Sequence, residues 1–117
     1  AENYQAAINV FSQAISLNDS LPHLFSNRAA CYLVTGDHER CIADCSRALE
    51  LFFPVVPSNH MQRAKAFARR GTAYANLAQL DLALQDYGAA VKLAPDDSKL
   101  KSDFEKLKVA MMNDTVR

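Results

Sequence analysis

The stretch AKAFARRGTAYANLAQLDLALQDYGAAVKLAP, residues 64–95, carries the pattern that decides the fold. Small residues recur in it at helical spacing: Gly71 stands three positions before Tyr74, and Ala83 stands four positions before Tyr87. A proline ends the stretch. Two antiparallel helices can approach closely only where one of them presents little side chain at the crossing. The stretch therefore predicts a tightly packed pair of helices that ends at the proline.

The same apolar pattern occurs earlier in the chain. An offset of 34 aligns the apolar positions of 7–17 with those of 41–51, and an offset of 42 aligns those of 25–51 with those of 67–93. The two offsets differ by an eight-residue insertion. A 34-residue period of paired helices is the period of the tetratricopeptide repeat. The sequence thus predicts an all-α solenoid of antiparallel helix hairpins with a C-terminal capping helix.

We expect a single domain over residues 1–117, because this length and an apolar content of 50% suffice for one core. The expected helices are 2–17, 22–35, 38–52, 60–78, 81–93 and 97–112. We expect residues 1–18 to be the second helix of a first repeat, whose first helix would precede residue 1. The remaining expected units are the second repeat at 22–52, the insertion at 53–59, the third repeat at 60–94 and the cap at 97–112. The capping helix carries an apolar stripe of Leu100, Phe104, Leu107 and Met111.

The first predicted helix has an apolar face formed by Ile8, Phe11 and Ile15. The helix that would precede it in a complete repeat is not in the sequence. We therefore expect these three side chains to lack a packing partner.

Composition limits the classes of partner. The chain has 13 Lys and Arg against 13 Asp and Glu, so no net field attracts nucleic acid or anionic lipid. No apolar run approaches the roughly 20 residues that a membrane span needs. The three cysteines form an odd set, which suits a reducing compartment better than a disulfide framework. We expect a cytoplasmic protein that binds neither nucleic acid nor membrane.

Catalytic motifs are absent from the sequence, which has no glycine-rich phosphate loop, no H-E-x-x-H and no G-x-S-x-G. We expect no enzymatic activity, no cofactor and no metal. The candidate metal set is His38, Cys41 and Cys45, which share one face of a helix. The two cysteines, however, occupy repeat positions that hold Ala7 and Phe11 in the first unit. Packing as small apolar side chains is therefore the favoured interpretation.

The charge is unevenly distributed, because residues 51–80 carry four basic side chains and no acidic one. The sequence gives Arg63, Lys65, Arg69 and Arg70 no acidic neighbour. Lys65 and Arg69 lie four residues apart and project from one helix face, whereas the other two project from a different face.

Asn27 occupies the repeat position equivalent to Arg69. Equivalent helix faces stack along a concave groove in a superhelix, so Asn27, Lys65 and Arg69 are expected to line it together. An amide, an ammonium and a guanidinium suit a carboxylate ligand. Leu24 and Phe67 are further candidate groove contacts. The alternative is a solvated basic face without a ligand.

Two strings resemble the carboxylate-clamp tetratricopeptide domains: SNRAACY at 26–32 and AKAFARRGTAY at 64–74. Members of this family are co-chaperone modules that bind the acidic C-terminal tails of heat-shock chaperones of the 90 kDa and 70 kDa classes. The resemblance implies that Asn27, Lys65 and Arg69 bind the tail's carboxylates. The family's other Lys and Asn belong to the first helix of the first repeat, which this sequence does not contain.

The insertion LFFPVVPSNHMQRAKA, at 51–66, and its flanks CIADCSRALEL and LALQDYGAAVKLAP resemble a narrower group over nearly the whole chain. These are the repeat domains of factors that assemble axonemal dynein. The resemblance implies a cytoplasmic co-chaperone adaptor for the preassembly of dynein arms of motile cilia, with dynein assembly factors among its partners. The alternative function is a structural repeat scaffold that binds a partner protein or itself through apolar surface, without a carboxylate clamp.

Overall fold

The computed structural model describes residues 3–116, and in that range the chain forms an all-α array of helix hairpins. The helices are α1 (Tyr4–Leu17), α2 (Pro22–Thr35), α3 (His38–Leu51), α4 (His60–Asn76), α5 (Leu80–Leu93) and α6 (Ser98–Val116), with a 3-10 turn at Pro57–Asn59. Each of the six predicted helices forms, and the helical repeat solenoid is confirmed. Residue 2, where we expected the first helix to begin, lies outside the described residues.

Helix boundaries follow the local chemistry. Gly36 ends α2 in the left-handed region, with a φ of 84°. Asp37 then caps α3 by accepting a hydrogen bond from the backbone N–H of Arg40 at 3.3 Å. The predicted helix over 60–78 ends earlier, at Asn76, because Ala78 also takes a left-handed φ, of 61°. None of the helices in the described range has the length and apolar content needed to cross a membrane.

Small side chains lie where the hairpins cross. Ala29, Cys41, Cys45 and Ala73 are all fully buried in one cluster, which joins α2, α3 and α4. At such a crossing any added volume displaces a neighbour. The sequence pattern of small residues therefore marks the helix contacts, as predicted. A second cluster contains Phe25, Ala48 and Phe52.

The prediction that the apolar face of α1 lacks a packing partner is wrong. Ile8 is buried, Phe11 is half-buried, and Ile15 packs against the second cluster. The physical reason is that α1 packs along α2, which covers this face. Two large apolar side chains of α1 remain in solvent, Val10, which is 62% exposed, and Leu17, which is 89% exposed.

A partly buried arginine joins each hairpin to the helix before it. Arg28 of α2 donates to Asp44 of α3 from Nε at 2.7 Å and from Nη2 at 2.8 Å. Its Nη1 donates at 3.0 Å to the hydroxyl of Ser12, on the preceding helix α1. One guanidinium therefore ties the two helices of its own hairpin to the helix before them.

The same contact recurs at the equivalent position of the next hairpin. Arg70 of α4 donates to both oxygens of Asp86 on α5, at 2.7 Å each, and to Ser46 on α3 at 3.0 Å. We call this Arg–Asp–Ser arrangement the polar junction. The bonds to carboxylate raise the pKa of both Arg28 and Arg70. The view of Arg70 as an uncompensated charge is wrong, because its acidic partner lies 16 residues along the chain and on another helix.

Candidate functional site

The predicted groove residues are carried by two helices in contact, α2 and α4. Lys65 and Arg69 lie one turn apart on α4, and Asn27 lies on α2. Arg69 reaches across to α2, where its Nη1 donates to the backbone oxygen of Ser26 at 3.1 Å and to its hydroxyl at 2.9 Å. The structure therefore places the Arg69 guanidinium beside the residue that precedes Asn27.

The donors of these three side chains are largely unused. Asn27 and Lys65 are exposed, and within the described residues neither makes a hydrogen bond or an ion pair. Arg69 is half-buried, and its Nε and Nη2 groups have no partner in the described part of the chain. A guanidinium has five N–H donors, so a fixed Nη1 leaves three for a ligand. The arrangement can bind an anion without breaking an internal ion pair.

The positive charge of Arg69 also acts on α2. Burial raises the pKa of the Cys31 thiol, and the nearby Arg69 guanidinium partly offsets that rise. Cys31 lies one turn after Asn27. Arg69 therefore lies close enough to α2 for its positive charge to act on a side chain there.

Phe67 does not belong to the groove, although we expected it there. The guanidiniums of Arg63 and Arg70 lie over its ring, 5.7 Å and 5.6 Å from the centroid. Those two arginines bind α3 and α5, so the ring faces the second helices of the hairpins. The physical reason is helix geometry, because residues two apart project about 200° from one another and Phe67 stands two from both Lys65 and Arg69. Leu24 is half-buried, three residues before Asn27 on α2.

The cysteines pack in the core. Cys41 and Cys45 are both fully buried, as their repeat positions predicted. A hydrogen bond that the Cys45 thiol donates to Cys41, together with burial, raises the pKa of Cys45 and keeps it protonated. Within the described range no group of three His, Cys, Asp or Glu side chains could hold a metal ion, and His38 joins neither cysteine in such a set.

Ser26 is a site residue that sequence reasoning missed. It is buried and accepts both bonds from Arg69. Its repeat equivalent is Ala68, so the offset that found Asn27 and Arg69 gave no signal for it. The only available signal was its position directly before Asn27.

Comparison with known proteins gives one family and a consistent set of relatives. A family model for the tetratricopeptide repeat matches residues 64–97. Dynein axonemal assembly factor 4 of Pongo pygmaeus is 46% identical over 107 residues, which are 92% of this chain and 26% of that protein. The chain therefore spans about a quarter of the length of this curated relative.

Solved structures give the same fold. The first tetratricopeptide-repeat domain of Spaghetti (RPAP3), bound to the HSP90 peptide SRMEEVD, is 26% identical with a TM-score of 0.81, covering 93% of this chain and 80% of that one. The second such domain of human RPAP3, in complex with the HSP70 peptide SGPTIEEVD, is 31% identical with a TM-score of 0.77. That match covers 90% of this chain and 81% of the other.

Proposed function

Since the chain belongs to the tetratricopeptide-repeat family, we propose that the groove between α2 and α4 binds the acidic C-terminal tail of a heat-shock chaperone. Lys65 and Arg69 hold carboxylates of the tail, and Asn27 donates an amide hydrogen bond to the same region. The observation that carries the proposal is the fixed guanidinium of Arg69, anchored to Ser26 while the donors facing away from that anchor have no partner within the described residues.

The chemistry of the donors supports a carboxylate ligand. A guanidinium presents its N–H groups in a planar fork that matches a carboxylate, and an ammonium is a compact charge that tolerates several ligand positions. An arginine that is already oriented loses less conformational freedom on binding. The groove is therefore suited to an extended segment with several carboxyl groups, such as a terminal carboxylate next to acidic side chains.

The peptides bound by the two solved relatives support the choice of tail. Both end in the sequence EEVD, one from HSP90 and one from HSP70. A free C-terminus after Glu-Glu-Val-Asp supplies four carboxylates within four residues. We assign tails of both chaperone classes as ligands of this chain, with Leu24 as a neighbouring apolar contact.

The relative that assembles axonemal dynein suggests where this binding is used. We infer a cytoplasmic, non-enzymatic co-chaperone adaptor in the preassembly of dynein arms for motile cilia, with dynein assembly factors as further partners. In this proposal residues 22–52 and 60–94 are complete repeats, 1–18 is the second helix of another, and 97–112 is the cap.

The test is a calorimetric titration of the chain with the peptide SRMEEVD, at low and at physiological salt. We expect binding that weakens as salt rises, because the anchoring contacts are ionic and partly exposed. Lys65→Ala and Arg69→Ala should each weaken binding about tenfold, since each removes a charge-assisted hydrogen bond. A peptide with an amidated C-terminus should bind less tightly than the free acid.

Lys92→Ala is the matched control, because Lys92 is an exposed lysine of α5 whose side chain makes no hydrogen bond or ion pair within the described residues. The Lys92→Ala variant should bind the peptide with the same affinity as the unsubstituted chain. Tail binding that survives the combined Lys65→Ala and Arg69→Ala change would refute the proposed site. Equal weakening by Lys92→Ala would show only a general effect of net charge.

A second candidate function is a repeat scaffold that binds a partner protein or itself through apolar surface. The observation in its favour is the exposure of Val10 and Leu17, seven residues apart on one side of α1. Val10→Ser together with Leu17→Ser should abolish such an association and leave tail binding intact. A monomeric mass with no change on this substitution would exclude self-association through α1.

A further inference from the structure

The insertion that breaks the 34-residue period places apolar side chains in solvent. Phe53 is 75% exposed and Met61 is 59% exposed, and the two valines between them, Val55 and Val56, are exposed as well. Single exposed apolar residues are common on protein surfaces, whereas several neighbours in one segment mark an interaction site. This segment therefore needs an explanation that the repeat fold does not provide.

The segment is held in place by its own hydrogen bonds. The side-chain amide of Asn59 donates to the backbone oxygens of Phe52 at 3.1 Å and Pro54 at 3.0 Å, and its Oδ1 accepts from the N–H of Val56 at 3.2 Å. Arg63 donates to the oxygens of Leu49 and Phe52. The apolar side chains are thus presented by a defined backbone, which reduces the entropy lost when a partner binds.

One wall of a cavity of about 510 Å³ is built from this segment, by Pro57, His60 and Met61. The opposite wall is the turn between α5 and α6, residues 93–97. This volume lies within the range of ligand pockets, roughly 300–1,000 Å³, and holds one or two large side chains. Pro57 belongs to the insertion and His60 and Met61 form the first turn of α4, so the insertion and the start of α4 build this wall together.

The rim of the cavity is acidic. Asp96 and Asp97 line it, no Lys or Arg does, and neither carboxylate forms an ion pair within the described residues. Asp97 caps α6 by accepting from the N–H of Leu100 at 3.1 Å, whereas Asp96 is exposed and makes no hydrogen bond in that range. The sign of this charge is opposite to that of Lys65, which stands one turn after Met61 on the same face of α4.

We propose that this cavity is a second docking site, for a segment of a partner protein that carries a large apolar side chain next to Lys or Arg. The apolar side chain enters between Met61 and the α5–α6 turn, and the basic side chain pairs with Asp96. The negative charge of the rim attracts a basic segment and repels an acidic one, which is the reason for choosing this partner. The residues that line the cavity do not include Asn27, Lys65 or Arg69, so the chaperone tail and the basic segment use different side chains.

The probe is a capped heptapeptide with a central leucine flanked by arginine and lysine, titrated into the ¹⁵N-labelled chain. We expect amide shifts concentrated at 93–97 and at Met61. Met61→Ser should weaken binding about tenfold through lost apolar contact, and Asp96→Asn should weaken it about threefold through lost ionic attraction. Both side chains are exposed and make no hydrogen bond to the described part of the chain, so the variants should keep the helical content of the parent chain.

Matched controls are Met112→Ser and Asp19→Asn, which change an exposed methionine and an exposed aspartate elsewhere. Neither should alter the affinity, and Lys65→Ala should leave it unchanged or slightly tighter. The proposal is overturned if the shifts are absent or map elsewhere, if both site variants bind like their controls, or if a peptide with glutamates beside the leucine binds equally well. A concentration-dependent mass that Met61→Ser abolishes would instead assign the cavity to a second copy of this chain.

Discussion

Arg69 on α4 donates to both oxygens of Ser26 on α2, and this contact joins the two helices on the side of the proposed carboxylate site. The backbone oxygen of Ser26 is present whatever the side chain, but the hydroxyl bond depends on serine. The orientation of the guanidinium therefore depends in part on Ser26, which is not among the residues proposed to hold the ligand.

Removing that hydroxyl should affect tail binding without removing any charge. Ser26→Ala deletes one of the two acceptors for Arg69, and we expect the affinity for SRMEEVD to fall about threefold, the effect of one hydrogen bond on a partly fixed side chain. Calorimetry measures it, with Ser102→Ala, an exposed serine of α6, as the control. Unchanged affinity in Ser26→Ala alongside a large loss in Arg69→Ala would show that the anchor does not orient the guanidinium.

The polar junction should matter for stability. Asp86→Ala leaves the guanidinium of Arg70 partly buried without its carboxylate, so we expect a loss of about 3 kcal/mol in the free energy of unfolding. Glu50→Ala breaks the exposed pair with Arg47 and should cost less than about 0.5 kcal/mol. Urea denaturation gives both values.

The double change Arg70→Met with Asp86→Leu tests whether the loss comes from the unpaired charge. Replacing both partners by apolar side chains of similar size should recover most of the stability lost in Asp86→Ala. If the double variant is as unstable as the single one, the junction contributes through its fixed geometry with Ser46 and not through charge pairing.

Two glycines should respond in opposite directions to alanine. A Cβ at Gly71 would lie 2.9 Å and 3.0 Å from ring atoms of Tyr87, whose hydroxyl is held by Thr72 at 2.6 Å. Gly71→Ala should therefore destabilise the fold by about 1–3 kcal/mol through overpacking.

Gly88 is the matched position within a helix. A Cβ there would lie 3.6 Å from Phe104, an ordinary contact, so Gly88→Ala should stabilise the chain by up to about 1 kcal/mol through helix propensity. Thermal unfolding of both variants checks the pair. A stable Gly71→Ala would mean that the Tyr87 ring can move aside without loss.

Stability should decline in alkaline solution, and Cys31 should contribute to the decline. Burial raises the pKa of its thiol, so the folded chain binds this proton more tightly than the unfolded chain. The contribution is complete below the unfolded thiol pKa of about 8.5 and is lost as the pH rises above it. Cys31→Ala should therefore show a smaller drop in unfolding free energy between about pH 7 and about pH 10. Parallel pH profiles for the two proteins would contradict this assignment.

Local patterns predicted much of the fold. Small residues at helical spacing predicted the hairpins, and the expected helices 22–35 and 38–52 agree with α2 and α3 to within one residue. Contacts between distant segments were not predictable in the same way, because the partner of Arg70 lies on another helix and the sequence around Arg70 contains no acid. The orientation of Phe67 was predictable from helix geometry alone, since two residues of separation place side chains on opposite faces.

The candidate site, like the fold, was predictable from the sequence only in part. The offset between repeats aligned Asn27 with Arg69, because both occupy one position in equivalent helices. The anchor at Ser26 has no repeat counterpart, so its role depends on the distance between α2 and α4. The cavity beside Met61 depends on how the insertion folds back on the α5–α6 turn, which no local pattern contains.

The polar junction also determines how the array could grow. At the next equivalent positions the serine is replaced by Gly88 and the arginine by Phe104, whose ring lies 3.6 Å from where a Cβ on Gly88 would stand. A further hairpin engineered to pack on α5 would therefore find an apolar contact at this position. The earlier hairpins have a hydrogen bond there. Lengthening the superhelix by the same rule requires exchanging that pair for serine and arginine, with an aspartate on the new second helix. At this end of the array Gly88 and Phe104 thus stand where the earlier hairpins have a hydrogen-bonded serine and arginine.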